Sequence, residues 1–164
     1  MPRMHFARDK NKEIWDMSFG TDAFLELCEL CNPNESLFDV NGEHFVKTPT
    51  IRVMKLFKEH PEQDLLEGAF TAGDGIDALA SINADGNRVT LTAANRNLYD
   101  SATLTLCPEL REMNIVMSDI VNTKNVRAYN SPDHPEEITQ HPFEAASPEL
   151  TLPPHSVIRV VFTK

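Results

Sequence analysis

Long apolar runs are missing from this chain. No stretch approaches the ~18 consecutive apolar residues that a membrane-spanning helix needs. The start, Met1-Pro2-Arg3-Met4-His5, also lacks the apolar centre of a secretory leader. The expectation is a cytoplasmic protein with no membrane partner. Cationic residues are scarce as well: 15 Lys and Arg against 25 Asp and Glu leave a formal charge of -10. No Lys/Arg cluster interrupts that excess, so a phosphate backbone would be repelled, which argues against nucleic acid as a partner. Cysteine is limited to Cys28, Cys31 and Cys107. An odd count without a leader predicts reduced thiols rather than a disulfide framework. Aromatic residues are sparse, and Trp15, Tyr99 and Tyr129 are the side chains suited to stacking on a sugar ring.

What remains is ordinary for a folded protein. With 164 residues, 41% hydrophobic and 24% charged, the chain is long enough for one domain with a sizeable core plus a short extra segment. Residues 1–35 read as an N-terminal extension. Its apolar set Ile14, Trp15, Met17 and Phe19 asks for a cover, and Thr21-Asp22 caps a predicted helix carrying Phe24, Leu27, Cys28 and Cys31 on one face. Asn32-Pro33-Asn34 ends it. Residues 36–62 contain Leu37 to Val40, an Asn41-Gly42 turn and His44 to Lys47, which form either a tight hairpin or a connecting loop. Thr48 then caps and Pro49 opens a largely apolar helix with Val53, Met54, Leu56 and Phe57, expected to be buried on more than one side and to end near His60-Pro61.

From about residue 65 the period changes to that of strands. Ile76 to Ile82 and Arg88 to Ala94 flank a turn containing Asp85-Gly86. Ser101 to Leu106 alternates with Ala102, Leu104 and Leu106 inward, Asn114 to Val121 follows, and Val157 to Phe162 closes the series with β-branched residues. Residues 122–148, rich in Asn, Pro, Asp and Glu, form a long loop broken by a short strand near Phe143. The predicted fold is mainly β: an antiparallel β-sandwich, jelly-roll-like, over residues 63–164, with one or two N-terminal helices.

Chemistry-bearing motifs are few. A glycosidase needs two carboxylates across the scissile bond, but Glu43, Glu59, Glu67 and Asp74 lie in no strand-end context and read as solvated surface acids. Cys28-Glu29-Leu30-Cys31 has the spacing of half a zinc site, yet a second pair and neighbouring histidines are absent, so small core residues are expected and no metal or cofactor is implied. Asp133-His134 beside Pro135-Glu136-Glu137 reads as a solvated loop, Gly73-Asp74-Gly75 as a turn, and His155 as a partly buried structural histidine.

Two segments carry a resemblance. Gly42-Glu43-His44-Phe45-Val46-Lys47-Thr48-Pro49-Thr50, followed by Val53 to Lys58, resembles the part of family 51 α-L-arabinofuranosidases that closes the catalytic (β/α)8 barrel and leads into the C-terminal sandwich. Where that family commonly carries aromatic and His residues after Thr-Pro-Thr, this chain has Ile51-Arg52. Val89 to Asn95, the loop through Asn130-Ser131-Pro132, and Leu150-Thr151-Leu152-Pro153-Pro154-His155-Ser156-Val157 resemble its C-terminal domain. The resemblance spans about residues 40–164 and implies a non-catalytic domain supporting a glycoside hydrolase barrel. The family's catalytic glutamates stand upstream of it, so no catalytic residue carries over, and a truncated or rearranged gene or a dissected piece is the expectation. A catalytic barrel or a second copy of the chain are the implied partners. The alternatives are a carbohydrate-binding module for arabinose-containing glycans, with Trp15, Tyr99 and Tyr129 as substrate-binding candidates, and an active arabinofuranosidase assembled with a separate barrel.

Overall fold

The computed structural model describes residues 37–41 and 43–164. The predicted helix after Thr21, the apolar set Ile14 to Phe19, Trp15, Cys28 and Cys31 lie outside the described residues. Two compact units are present. One contains the described residues up to Ile51 together with Asn130–Pro135, and the other contains Arg52–Tyr129 with Glu136–Lys164.

In the first unit, strands β1 (Phe38–Asn41) and β2 (His44–Lys47) form the hairpin that the sequence left open against a loop. Asn41 pairs with His44 and so belongs to the strand rather than to the turn. The rings of Phe38 and Phe45 stack at 4.8 Å. Thr48 N–H donates to Leu37 O, which closes the hairpin, and Asn130 Nδ2 donates to Lys47 O at 2.8 Å.

Helix α1 (Pro49–Phe57) starts where Pro belongs, since its missing N–H costs nothing at the first helical position. Its apolar residues do not all turn inward as expected. Arg52 and Leu56, four apart, take the buried face, while Met54 stays 54% and Phe57 36% exposed. Leu56 anchors a small cluster with Val121 and Ile138, against which Val53, Ala128 and Val157 pack.

The second unit is a sandwich of two antiparallel sheets. The larger has the order β3 (Asp64–Leu65), β5 (Ile76–Ile82), β6 (Arg88–Asn95), β11 (Ser156–Thr163), β8 (Asn114–Val121), β9 (Gln140–Pro142); the smaller has β10 (Glu149–Leu152), β7 (Ala102–Leu106), β4 (Phe70–Ala72). Alternation decides the faces. Val89, Leu91 and Ala93 of β6 with Ile158, Val160 and Phe162 of β11 point to the same side as Leu104 and Leu106 of β7 and Leu150 and Leu152 of β10, and together they make one buried core. The β5–β6 turn uses Gly86 at φ 67°, and Asn83 Oδ1 accepts from the Asn87 and Arg88 N–H groups. A one-turn helix, α2 (Pro108–Arg111), seats Leu110 against the core.

Candidate functional site

The opposite face of the six-stranded sheet is polar and nonetheless covered. Thr90, Thr92, Ser81 and Arg159 are all buried there. Their cover comes from α1 and the segment after it. Arg159 stands directly across from Asp119 in the β11–β8 register, and its Nη2 donates to Asp119 Oδ2 at 2.5 Å. Arg159 Nη1 donates to Glu59 Oε1 at 3.1 Å, and Glu59 Oε2 accepts from Arg88 Nη2 at 2.9 Å. Two guanidinium and two carboxylate groups thus alternate with no net charge, which is the condition under which a buried charge persists. Glu59 was expected as a solvated acid; its side chain is 22% exposed because it closes this network.

Beside it, His60 bridges two strands. Its Nδ1 lies 2.7 Å from Ser81 Oγ and its Nε2 2.7 Å from Thr92 Oγ1, while Ser81 Oγ donates to Gln63 Oε1 at 2.7 Å. Because the Ser81 proton goes to Gln63, Nδ1–H donates to Ser81, while the Thr92 hydroxyl facing Nε2 also lies 3.5 Å from Leu56 O. Burial holds the His60 pKa below its ordinary 6.5, partly opposed by the negative charge of Glu59. Ser81 is 3% exposed and Thr92 fully buried, so neither hydroxyl is open to a substrate. The arrangement fastens the segment after α1 to the sheet. Arg159 was hidden in the sequence by its β-branched neighbours, and the one available signal is that a lone charge inside a central strand must find partners.

A cleft of about 380 Å³ at one end of the sandwich is lined by Leu66, Glu67, Val89, Glu109, Met113 and Lys164 among others. It holds two carboxylates, but Glu109 is set for the wrong task. Its own backbone N–H and then Cys107 hold its pKa below the usual carboxylate range, whereas a proton donor to a glycosidic oxygen needs a raised one. Glu43, Glu67 and Asp74 are exposed. No group of His, Cys, Asp and Glu fit to hold a metal occurs among the described residues. No helix among them is long and apolar enough to cross a membrane.

The sugar-stacking candidates divide. Trp15 lies outside the described residues; Tyr99 is 81% and Tyr129 72% exposed, each on a loop. His155 ties those two loops together. Its Nδ1 lies 3.1 Å from Leu98 O, its Nε2 2.7 Å from Thr123 O, and its backbone N–H donates to Asn97 O. Asn95 adds a second tie, donating from Nδ2 to the carbonyls of Asp100, Leu152 and Pro153 and accepting the Asn97 N–H. The histidine expected to be structural is so. Thr123 also lines a groove of about 450 Å³, bordered further by Asn122, Lys124, Asn125, Glu137, Thr139 and His141.

No protein-family model matches the chain, and no curated protein does. Solved structures do. The family 51 arabinofuranosidase from Xanthomonas axonopodis pv. citri aligns with a TM-score of 0.62 at 19% identity, over 81% of this chain and 30% of that one. The α-L-arabinofuranosidase from Thermotoga maritima in complex with arabinose gives 0.62 at 15% identity, over 79% and 32%. The family 51 α-L-arabinofuranosidase from Bifidobacterium longum gives 0.63 at 19% identity, over 79% and 28%. The chain thus spans about 30% of the length of the first of these enzymes. At such identities the shared property is architecture, and the described chain has the fold of a β-sandwich portion of family 51 α-L-arabinofuranosidases.

Proposed function

We propose that this chain serves as the non-catalytic C-terminal sandwich of an α-L-arabinofuranosidase, giving structural support to a glycoside hydrolase barrel. The observation that carries the reading is the extent of the match: about four-fifths of this chain corresponds to under a third of each enzyme. Two features of the chain support it. Met54 and Phe57 leave an apolar flank of α1 exposed, as suits a helix that packs on further structure. The carboxylates drawn against the polar face of the sheet, Glu59 and Asp119, are each committed to a guanidinium.

On this reading residues 36–62 correspond to the end of the barrel and residues 63–164 to the sandwich, with a barrel domain as the partner. The test is an assay of the purified chain on an aryl α-L-arabinofuranoside. Turnover at the level of buffer is expected. Hydrolysis that disappears on a single Glu→Gln substitution would overturn the proposal.

A further inference from the structure

The cleft at one end of the sandwich is set into the margin of the apolar core. Buried Ala69, Val89 and Leu110 line it together with Leu66, Ile82 and Met113, which pack against the core and stay half-buried. Its walls are fixed by main-chain bonds. Cys107 N–H donates to Ala69 O at 2.9 Å, Leu66 N–H to Ala80 O at 2.9 Å, and Lys164 N–H to Asn87 O at 3.1 Å. A preformed apolar cleft of about 380 Å³ carrying a few polar groups has the size and make-up of a small-molecule site.

The charged groups of the lining select the sign of the ligand. Glu67 and Glu109 are both exposed, and no cation pairs with either among the described residues. Hydrogen bonds from its own backbone N–H and from Cys107 keep the Glu109 carboxyl below the usual carboxylate range, so it is charged at neutral pH. The amine in the lining is engaged, since Lys164 Nζ donates to Gly86 O at 2.7 Å. An anionic ligand would meet two carboxylates on a chain of net charge -10, and a neutral one would leave both without a partner. Sulfur makes the second selection. Cys107 and Met113 bring two sulfur atoms to a lining that contains no aromatic ring, and sulfur contacts the edge of a ring favourably. We infer that this cleft binds a small arylalkyl ammonium, its ring lying on the apolar, sulfur-bearing lining and its cationic head meeting Glu67 and Glu109. The inference does not depend on the supporting role proposed above.

The test is amide NMR of the full chain titrated with three compounds that share one body and differ in the head: 2-phenylethylammonium, 2-phenylethanol and phenylacetate. Saturable shifts at the amides of Ala69, Val89 and Leu110 are expected for the ammonium in the millimolar range, about fivefold tighter than for the alcohol and absent for the acid. Glu67→Gln with Glu109→Gln should bring the ammonium down to the affinity of the alcohol, at an unchanged melting temperature because both side chains are exposed. The control Glu112→Gln, an exposed acid outside the lining, should change nothing. Any of four results would overturn the inference: no saturation by the ammonium at ~20 mM, shifts confined to amides away from the cleft, alcohol or acid bound as tightly as the ammonium, or ammonium binding that the paired Glu substitutions leave intact.

Discussion

Burial of His60 gives the protein a pH dependence of known sign. Burial lowers its pKa in the folded state below the ordinary 6.5, so the unfolded chain takes up a proton more readily than the folded one. Stability is then flat above about pH 6.5 and falls as pH drops from there through the folded pKa. We expect urea unfolding of the native chain to lose free energy as pH falls below about 6.5, with a smaller loss in His60→Gln. Equal slopes for the two proteins would remove His60 as the cause. Little of this was legible in the sequence. His60-Pro61 marks a helix end well enough, but the partners of His60 are Ser81 and Thr92, 21 and 32 residues away, and no spacing rule links them. Glu59 was misread for the same reason, since an acid after a helix looks solvated until Arg159, 100 residues on, is placed beside it.

At the scale of elements, α1 and the segment after it are held to the sheet by the Leu56 cluster and by Arg159 with its two carboxylates. Removing one partner of a buried ion pair leaves the other uncompensated, at a cost of about 3–5 kcal/mol. Arg159→Met is therefore expected to lower unfolding free energy by about that amount in urea titration, and Arg159→Met with Asp119→Leu to recover part of it. A loss under ~1 kcal/mol for the single change would place the pair among weak surface contacts. The long strands were readable: Ile76–Ile82 and Asn114–Val121 occur at the residues expected, because seven or eight residues suffice to display the period. The short ones were not. Phe70–Ala72 is too brief to show alternation, and Glu149–Leu152 does alternate but spans only four residues before Pro153-Pro154. The four-residue α2 carries no helical period at all. Residues 140–142 pair with β8 just before Phe143, where a short strand was expected, and Phe143 N–H continues the pairing to Ser118 O.

At the scale of the whole molecule, sequence order and sheet order disagree. β11 lies between β6 and β8, so its register partners sit some 60–75 residues back on one side and 36–49 on the other. Loop closure over such distances is costly before any contact rewards it, and refolding from urea should take milliseconds to seconds, measurable by stopped-flow fluorescence of Trp15 or the tyrosines. A complete refolding phase in microseconds would contradict the non-local pairing. Until residues 156–163 insert, β6 and β8 each show a bare edge of unpaired N–H and C=O groups beside uncovered Leu91 and Ile120. The central strand that makes the finished sheet rigid therefore sets the period during which a growing or refolding chain is most open to sticking to its own copies, and its arrival ends that hazard on both edges at once.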